Sequence, residues 1–236
     1  MLKKKGNVLY LVPVPIAEID INWSLPLSVI EQIVNIQCFI VENSKTARHY
    51  LKQLNPNVKF DQITIYELDK HNLNSQFVEI RAILKEEEHI GLMSEAGLPC
   101  IADPGNHVVR IAHEMNLRVK PLTGPSSILL ALISSGLNGQ QFKFNGYLPV
   151  KPDERQPAIL RIEKDAQQAT QLFIEAPYRN EKLLADLIRI LKPSMRLMIA
   201  ANITAEDEMI ICQPVSWWKS NKKEIGKTPC LFGIGI

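Results

Sequence analysis

The residues best suited to hold a small ligand occur in one stretch rich in glycine, proline and small side chains. This stretch, SEAGLPCIADPG, covers residues 94–105 and follows an apolar run typical of a buried strand. Gly97 lets ligand atoms approach the backbone closely, because glycine has no side chain to block them. Asp103 and Pro104 suit the cap and first position of a following helix. The stretch therefore predicts a ligand-binding loop that leads into a helix.

A second loop of the same character, TGPSS, covers residues 123–127 and follows the next predicted strand. Ser126 or Ser127 can cap the following helix, or donate to a ligand at its positive end. Two such loops after neighbouring strands favour one small-molecule site. The chain has no GxGxxG, GxxxxGK[ST] or GxSxG motif, which argues against a dinucleotide site, a P-loop and a hydrolase elbow.

The cysteines and histidines do not predict a metal centre. None of the four cysteines stands in C-x-x-C spacing, and the histidines form no H-E-x-x-H motif. We therefore predict no zinc site and no disulfide framework. Reduced cysteines of this kind are typical of an intracellular protein.

The composition is that of an ordinary globular protein. The 236 residues are 46% hydrophobic and 22% charged, with a formal net charge of +2, which excludes a disordered tail and a polybasic arm. Lysines 3–5 and the apolar run 8–12 imitate a signal peptide, but Pro13 and Pro15 interrupt that run. We predict a first buried strand there, no membrane-spanning helix, and a cytoplasmic protein.

The elements that must position these loops alternate along the first half of the chain. Short apolar runs predict strands at 8–12, 38–41, 62–66, 90–93 and 118–122. Between them, helical periodicity predicts helices at 27–36, 46–54, 74–87 and 107–115. Strand–helix alternation indicates parallel pairing with helices on both faces. In such sheets ligands bind beyond the carboxyl ends of the strands, where both loops lie.

The second half has strands that follow one another more closely, which favours a mixed sheet. Strands are predicted at 142–147, 171–175, 196–201, 209–212 and 230–234, and helices at 126–135 and around 183–191. Pro149, Pro152 and Pro157 predict a loop in the polar stretch between. We predict an α/β fold of two domains, residues 1–122 with a mainly parallel sheet and residues 123–236 with a mixed sheet.

Several motifs in order resemble the tetrapyrrole (corrin/porphyrin) methylase superfamily. They are LYLVPVPI (9–16), the 94–105 and 121–127 stretches, SGL (135–137), GYLP (146–149) and FIEAPYR (173–179). The branch that the chain resembles is the bacterial 16S rRNA ribose 2′-O-methyltransferases, without the C-terminal helical module of many such enzymes. The resemblance covers nearly the whole chain. It implies S-adenosylmethionine as cofactor, held in a cleft between two α/β domains, and usually a homodimer.

The resemblance also implies which residues hold the cofactor. In the first domain these are residues of the loops that follow three strands. In the second domain they are residues at strand ends. The implied set is Pro15, Gly97, Leu98, Ile101, Ser126, Ser127, Glu175, Ala201 and Cys230.

The chain departs from the branch on the substrate side. Ala17 stands where the branch has Gly, Glu18-Ile19 where it has Asn-Leu, ENSK (42–45) where it has EDTR, and ANIT (201–204) where it has RELT. Three hypotheses therefore stay open. The chain is an rRNA ribose 2′-O-methyltransferase, a methylase of a tetrapyrrole or other small molecule, or a cofactor-binding protein without turnover.

Methyl transfer to a ribose hydroxyl needs a group that removes its proton. Glu42, after the second strand, and Glu95, beside the cofactor loop, are the predicted catalytic carboxylates. No metal is predicted to take part. The predicted partner is rRNA or the small ribosomal subunit, whose phosphates would meet basic side chains; the candidates are Lys45, Arg48, Lys151, Arg155, Arg179 and Lys182.

Overall fold

A computed structural model describes residues 6–69, 73–103, 105–221 and 223–236. The chain divides into two compact units, Met1–Ser126 and Ser127–Ile236. Each unit contains one five-stranded sheet. In the described ranges, no helix is long and apolar enough to span a bilayer.

The first unit is built on an all-parallel sheet with strand order β3-β2-β4-β1-β5. Its strands are short, and most residues of the three inner strands are buried, as expected for a sheet covered on both faces. The strands are β1 (Val8–Leu11), β2 (Cys38–Val41), β3 (Thr64–Glu67), β4 (His89–Met93) and β5 (Arg118–Pro121). Because all five run in one direction, the loops that follow them lie at one edge.

Helices cover both faces of this sheet. They are α1 (Ile21–Ser24), α2 (Leu27–Val34), α3 (Ser44–Leu54), α4 (Phe77–Glu86) and α5 (Asn106–Glu114). Val29 and Ile33 of α2 belong to the core on one face, and Ile80 and Val108 belong to the core on the other. The parallel sheet and its two helical layers agree with the predicted fold.

The second unit has a mixed sheet of order β6-β7-β10-β8-β9. The pair β6–β7 is parallel, and the other three pairs are antiparallel. The strands are β6 (Phe142–Tyr147), β7 (Thr170–Glu175), β8 (Arg196–Ala201), β9 (Met209–Pro214) and β10 (Cys230–Gly235). The helices are α6 (Ser127–Ser135), α7 (Pro152–Asp165), α8 (Asn180–Ile190) and α9 (Val215–Ser220).

The predicted loop around Pro149, Pro152 and Pro157 is wrong, because α7 occupies most of that stretch. Pro152 is the first residue of the helix, where a missing N–H does no harm. Pro157 lies inside the helix and removes one backbone hydrogen bond. The helix continues because its apolar face is buried; that face contains Ala158, Ile159 and Ile162.

A buried ion pair also ties α7 to α8. Arg155 is 2% exposed, and its Nε donates to Asp186 Oδ2 at 2.9 Å. Arg189 donates to the other carboxylate oxygen at 2.9 Å. Burial by itself would raise the pKa of Asp186, but the hydrogen bonds and charges of the two arginines outweigh it and lower that pKa. Arg155, one of the predicted RNA contacts, is therefore a structural residue.

We expect Asp186→Asn to lower the free energy of unfolding by about 3 kcal/mol near neutral pH, since it leaves the buried Arg155 without a carboxylate. The folded pKa of Asp186 lies below its ordinary value of 3.8. The Asp186 carboxylate therefore contributes to the free energy of unfolding above pH 3.8, and this contribution is lost as the pH falls through the folded pKa. Urea unfolding should show that the difference in free energy of unfolding between wild type and Asp186→Asn becomes smaller below about pH 4. Asp165→Asn is the matched control, because the ion pair of Asp165 with Lys143 is exposed.

Candidate active site

The loops that follow β1 and β4 are joined at the carboxyl edge of the parallel sheet. Val14 and Gly97 exchange two backbone hydrogen bonds, of 2.8 Å from Val14 N to Gly97 O and 2.9 Å in the other direction. Gly97 has a φ of +69°, a conformation that glycine adopts without strain. This two-bond bridge fixes the first loop against the 94–105 loop.

The loop after β5 packs against the same place. A Cβ atom added to Gly124 would lie 2.1 Å from Pro13 Cβ, so only glycine fits beside that proline. Among the described residues, a Cβ added to Gly97 would meet Pro125 O alone, at 3.8 Å. The three loops are therefore in close contact, and a Cβ at Gly97 would touch the third loop at ordinary van der Waals distance.

Tyr50 holds the first loop from the helical side. Its hydroxyl donates to the carbonyl of Pro13 at 2.7 Å in a buried position, and burial raises the pKa of Tyr50 above its ordinary value. The hydroxyl therefore stays protonated and keeps donating. Tyr50 lies on α3, so this helix and the loop are fixed relative to each other.

Replacing Tyr50 by Phe should lower the free energy of unfolding by about 1–3 kcal/mol, because it leaves the buried carbonyl of Pro13 without a donor. Urea unfolding followed by circular dichroism measures the change. Tyr66→Phe is the control, since the hydroxyl of Tyr66 bonds to Glu79 in an exposed position and its removal should change little. Equal losses in the two variants would show that the Tyr50 hydroxyl does not secure the loop.

A pocket of about 480 Å³ opens between the first loop, α3 and the start of the 94–105 loop. Its walls combine apolar loop residues with polar helical side chains. The lining residues important below are Pro15, Ala17, Lys45, His49, Gln53 and Glu95. The volume is in the range of small-molecule sites.

The structure joins the two residues predicted to be catalytic, through the backbone of Glu95 and the side chain of Glu42. The backbone N–H of Glu95 donates to Glu42 Oε2 at 3.3 Å. Glu95 lines the pocket and is exposed, whereas Glu42 is half-buried. Glu42 therefore holds the segment that carries Glu95, and Glu95 faces the pocket.

The predicted cofactor residues of the first unit belong to the three joined loops. Pro15 lines the pocket. Gly97 is buried, Leu98 is half-buried, and Ile101 is 43% exposed. Ser126 is buried, 9% exposed. Ser127, in the other unit, is the first residue of α6.

The predicted helix cap at Asp103 is wrong. The cap residue of α5 is Gly105, and the helix begins at Asn106; Pro104 lies outside the described residues. A Cβ at Gly105 would come within 3.2 Å of both Cys100 Sγ and Leu92 Cδ2. Close packing under the loop therefore selects glycine there, although Asp is the better cap.

The predicted cofactor residues of the second unit are neighbours across three adjacent strands. Cys230 of β10 is paired with Glu175 of β7 on one side and with Ala201 of β8 on the other. Burial raises the pKa of the Cys230 thiol to about 12, so it is not a thiolate at neutral pH. Its role is to pack rather than to react.

Glu175 is a buried carboxylate that is only half satisfied. Its Oε1 accepts from the backbone N–H of Ala176 and from Arg179 Nε, both at 2.8 Å. Its Oε2 is buried and accepts no hydrogen bond from the described residues, and the same holds for Asn180 Oδ1. Buried acceptors without a donor are rare. Two of them beside the predicted cofactor residues fit a ligand that carries N–H or O–H groups.

Sequence reasoning missed the side of the pocket that α3 forms. His49, Tyr50 and Gln53 were not among the candidates, yet all three line it. Lys45, His49 and Gln53 are spaced four residues apart, which places them on one face of a helix. That spacing was readable from the sequence once the helix was assumed.

Comparison with known proteins agrees with these features. The family model Tetrapyrrole (Corrin/Porphyrin) Methylases matches residues 8–216. A protein of Escherichia coli O157:H7 named ribosomal RNA small subunit methyltransferase I is 31% identical, over 91% of this chain and 73% of its own length. A protein of the same name from Bacillus subtilis is 28% identical, over 99% of this chain and 77% of its own length.

Solved structures show the same fold at low identity. A diphthine synthase has a TM-score of 0.68 with 14% identity, covering 97% of this chain and 89% of its own. The methyltransferase CobJ has a TM-score of 0.61 with 14% identity, covering 98% and 94%. The predicted fold class and the predicted methyltransferase class are confirmed. This chain therefore belongs to the tetrapyrrole (corrin/porphyrin) methylase family, whose model matches residues 8–216.

Proposed function

We propose that this methyltransferase transfers a methyl group from S-adenosylmethionine to a ribose 2′-hydroxyl of ribosomal RNA in the small subunit. The observation that carries the proposal is the Glu95 carboxylate, which faces a pocket of about 480 Å³ beside the joined loops. Two relatives named as rRNA small subunit methyltransferases, similar over most of the chain, support the choice of acceptor.

The residues of both units fit the proposed cofactor. S-Adenosylmethionine carries amino and hydroxyl groups, which are the donors that Glu175 Oε2 and Asn180 Oδ1 lack. Gly97 has no side chain, which suits close approach of a ligand to the backbone of this loop. We propose that the residues that hold the cofactor are Pro15, Gly97, Leu98, Ile101, Ser126, Ser127, Glu175, Ala201 and Cys230.

When bound, the cofactor supplies a methyl carbon activated by a sulfonium. The protein must align the acceptor oxygen with that carbon, and positioning of this kind lowers a barrier by up to about 7–11 kcal/mol. The Val14–Gly97 bridge and the Tyr50 hydrogen bond keep the first loop in place for this task. Glu95 accepts the proton of the ribose hydroxyl, and Glu42 positions Glu95 through its backbone N–H.

Two finer points rest on the resemblance to the family. We propose that the protein acts in the cytoplasm, where small subunits are assembled and used. We also propose a homodimer, whose mass by size-exclusion chromatography with light scattering would be twice the chain mass of 26.7 kDa.

Two measurements on the purified protein test the proposal. Calorimetric titration with S-adenosylhomocysteine should show micromolar binding. Tritiated methyl groups should then pass to the rRNA of small ribosomal subunits from a strain that lacks the modification. Cofactor binding without transfer to RNA would contradict the rRNA acceptor, and methylation of a tetrapyrrole instead would favour the small-molecule alternative. Absence of cofactor binding by folded protein would overturn the proposal entirely.

A further inference from the structure

One wall of the pocket is a row of three hydrogen-bond donors on α3, which we call the donor row: Lys45, His49 and Gln53. Residues four apart on a helix are about 6 Å apart along its axis. In the described part of the chain, none of the three side chains has a hydrogen bond or an ion pair with another residue. The donor row is therefore available to a ligand.

The backbone N–H groups at the N-terminus of α3, unlike the donor row, are already bonded within the protein. The side chain of Asn43 accepts from the backbone N–H groups of Lys45 and Thr46, at 2.9 and 3.2 Å. Glu67 Oε2 accepts from the N–H of Ser44 at 2.8 Å. The protein itself thus satisfies these backbone donors, and an anion at this helix must be bound by side chains.

The opposite parts of the pocket have other chemistry. The first loop contributes an apolar wall of Pro15, Ile16, Ala17 and Ile19. Glu18 and Glu95 contribute carboxylates, which repel an anionic group. An anionic group of a ligand would therefore bind at the donor row. The pocket therefore fits a ligand with an anionic end, an apolar flat part and a hydroxyl group that reaches Glu95.

We infer that this pocket receives the acceptor nucleotide of single-stranded RNA, with a backbone phosphate bound by Lys45 and His49. The inference rests on the proposed function and adds the acceptor's place and the residues that hold it. A nucleotide combines the three properties named above: phosphate, flat base and ribose hydroxyl. Proteins that act on single RNA bases or riboses bind unpaired strands, whose nucleotides can enter a pocket.

The test compares two lysines of the same helix. Lys45→Gln removes a positive charge from the pocket, and Lys52→Gln removes one from an exposed residue of α3 that does not line it. Binding of a fluorescein-labelled uridine dodecamer is measured by anisotropy between 50 and 200 mM KCl. Phosphate contacts carry no sequence information, so the dodecamer can test them without matching the rRNA sequence. S-Adenosylhomocysteine affinity and melting temperature are measured for each protein.

We expect Lys45→Gln to weaken binding of the dodecamer about 10-fold and to reduce the slope of log K against log [KCl] by about 0.7, the value for one lost contact to a single strand. Lys52→Gln should stay within about twofold of wild type. His49→Ala should weaken binding about fivefold, as for one lost hydrogen bond of ordinary strength. Cofactor affinity should be unchanged throughout.

Equal salt slopes for the two lysine variants would overturn the inference. If the wild type still methylates rRNA in that case, the proposed function stands and only the place of the nucleotide is wrong. If the wild type binds S-adenosylhomocysteine but neither binds nor methylates RNA, both proposals fall. Titration with uroporphyrin III, a polycarboxylate, covers the small-molecule alternative. If the wild type binds it but not the dodecamer, and Lys45→Gln loses that binding, the inference falls and the pocket is assigned to an anionic small molecule.

Discussion

Replacing Glu95 by Gln should lower the rate of methyl transfer by about 10²–10⁴-fold, the usual contribution of a positioned proton acceptor. Glutamine keeps the shape of the side chain but is not a base. The backbone N–H that donates to Glu42 at 3.3 Å is retained, so the loop should keep its position. The single-turnover rate with tritiated S-adenosylmethionine and unmodified small subunits measures the effect.

Two further variants distinguish loss of the base from other causes of a lower rate. Glu31→Gln removes an exposed carboxylate of α2 that does not line the pocket and should leave the rate within about threefold, because an exposed charge away from the acceptor is screened by salt. Glu42→Gln should lower the rate by about 10-fold, because it weakens a positioning contact. A rate for Glu95→Gln near that of wild type, with the large loss in Glu42→Gln, would transfer the role of base to Glu42.

Cofactor binding should be lost when Gly97 is replaced by Arg. The φ of +69° at this position costs a non-glycine residue about 1–2 kcal/mol. The position is also buried, and a Cβ there already contacts Pro125 O at 3.8 Å. The long side chain of arginine would therefore displace parts of the loops that we assign to the cofactor site. We expect the affinity for S-adenosylhomocysteine to fall at least about 100-fold, which is 2.7 kcal/mol or more, as measured by calorimetry.

Gly97→Ala and Gly139→Arg separate the causes of this loss. Alanine brings the backbone strain, but its Cβ meets only Pro125 O at 3.8 Å, so it should weaken binding less than arginine does. A Cβ at Gly139 meets nothing within 4 Å, and arginine there should leave binding unchanged. Micromolar binding by a folded Gly97→Arg protein would remove this loop from the cofactor site.

Burial explains which strands the sequence predicts accurately. The run 38–41 is apolar throughout, and β2 (Cys38–Val41) occupies that range. The edge strand β3 (Thr64–Glu67) begins two residues later than the predicted run 62–66, because Gln62 belongs to a short 3₁₀ turn. Edge strands are buried on fewer sides, so their apolar pattern is weaker.

The helix α7 shows where local signals mislead. Three prolines in a polar stretch are typical of a loop, and this was the prediction for Pro149, Pro152 and Pro157. The helix forms because its apolar face is buried, and Arg155 also pairs with Asp186, a residue 31 positions away. Contacts at such separations leave no trace in a local pattern, and here they outweigh the loss of one backbone hydrogen bond.

The sequence predicts which loops form the candidate site but not which residues of those loops are hydrogen-bonded to each other. Motif order indicated the loop that contains Gly97, and the carboxylates Glu42 and Glu95 were chosen separately. That the Glu95 N–H donates to Glu42, or that Val14 pairs with Gly97, depends on how parallel strands align their ends. Strand register is set by packing of the whole sheet, so the sequence alone does not predict it.

The strand orders have a consequence for biosynthesis. In the first sheet β1 lies between β4 and β5, and in the second β10 lies between β7 and β8. A nascent chain on the ribosome therefore makes β1 long before its partners exist, and completes β7 and β8 before the strand that joins them. Until residues 230–235 emerge, β7 and β8 each expose an unpaired edge that can pair with other chains. The second sheet therefore consists of two separate strand pairs, β6–β7 and β8–β9, until β10 pairs with both.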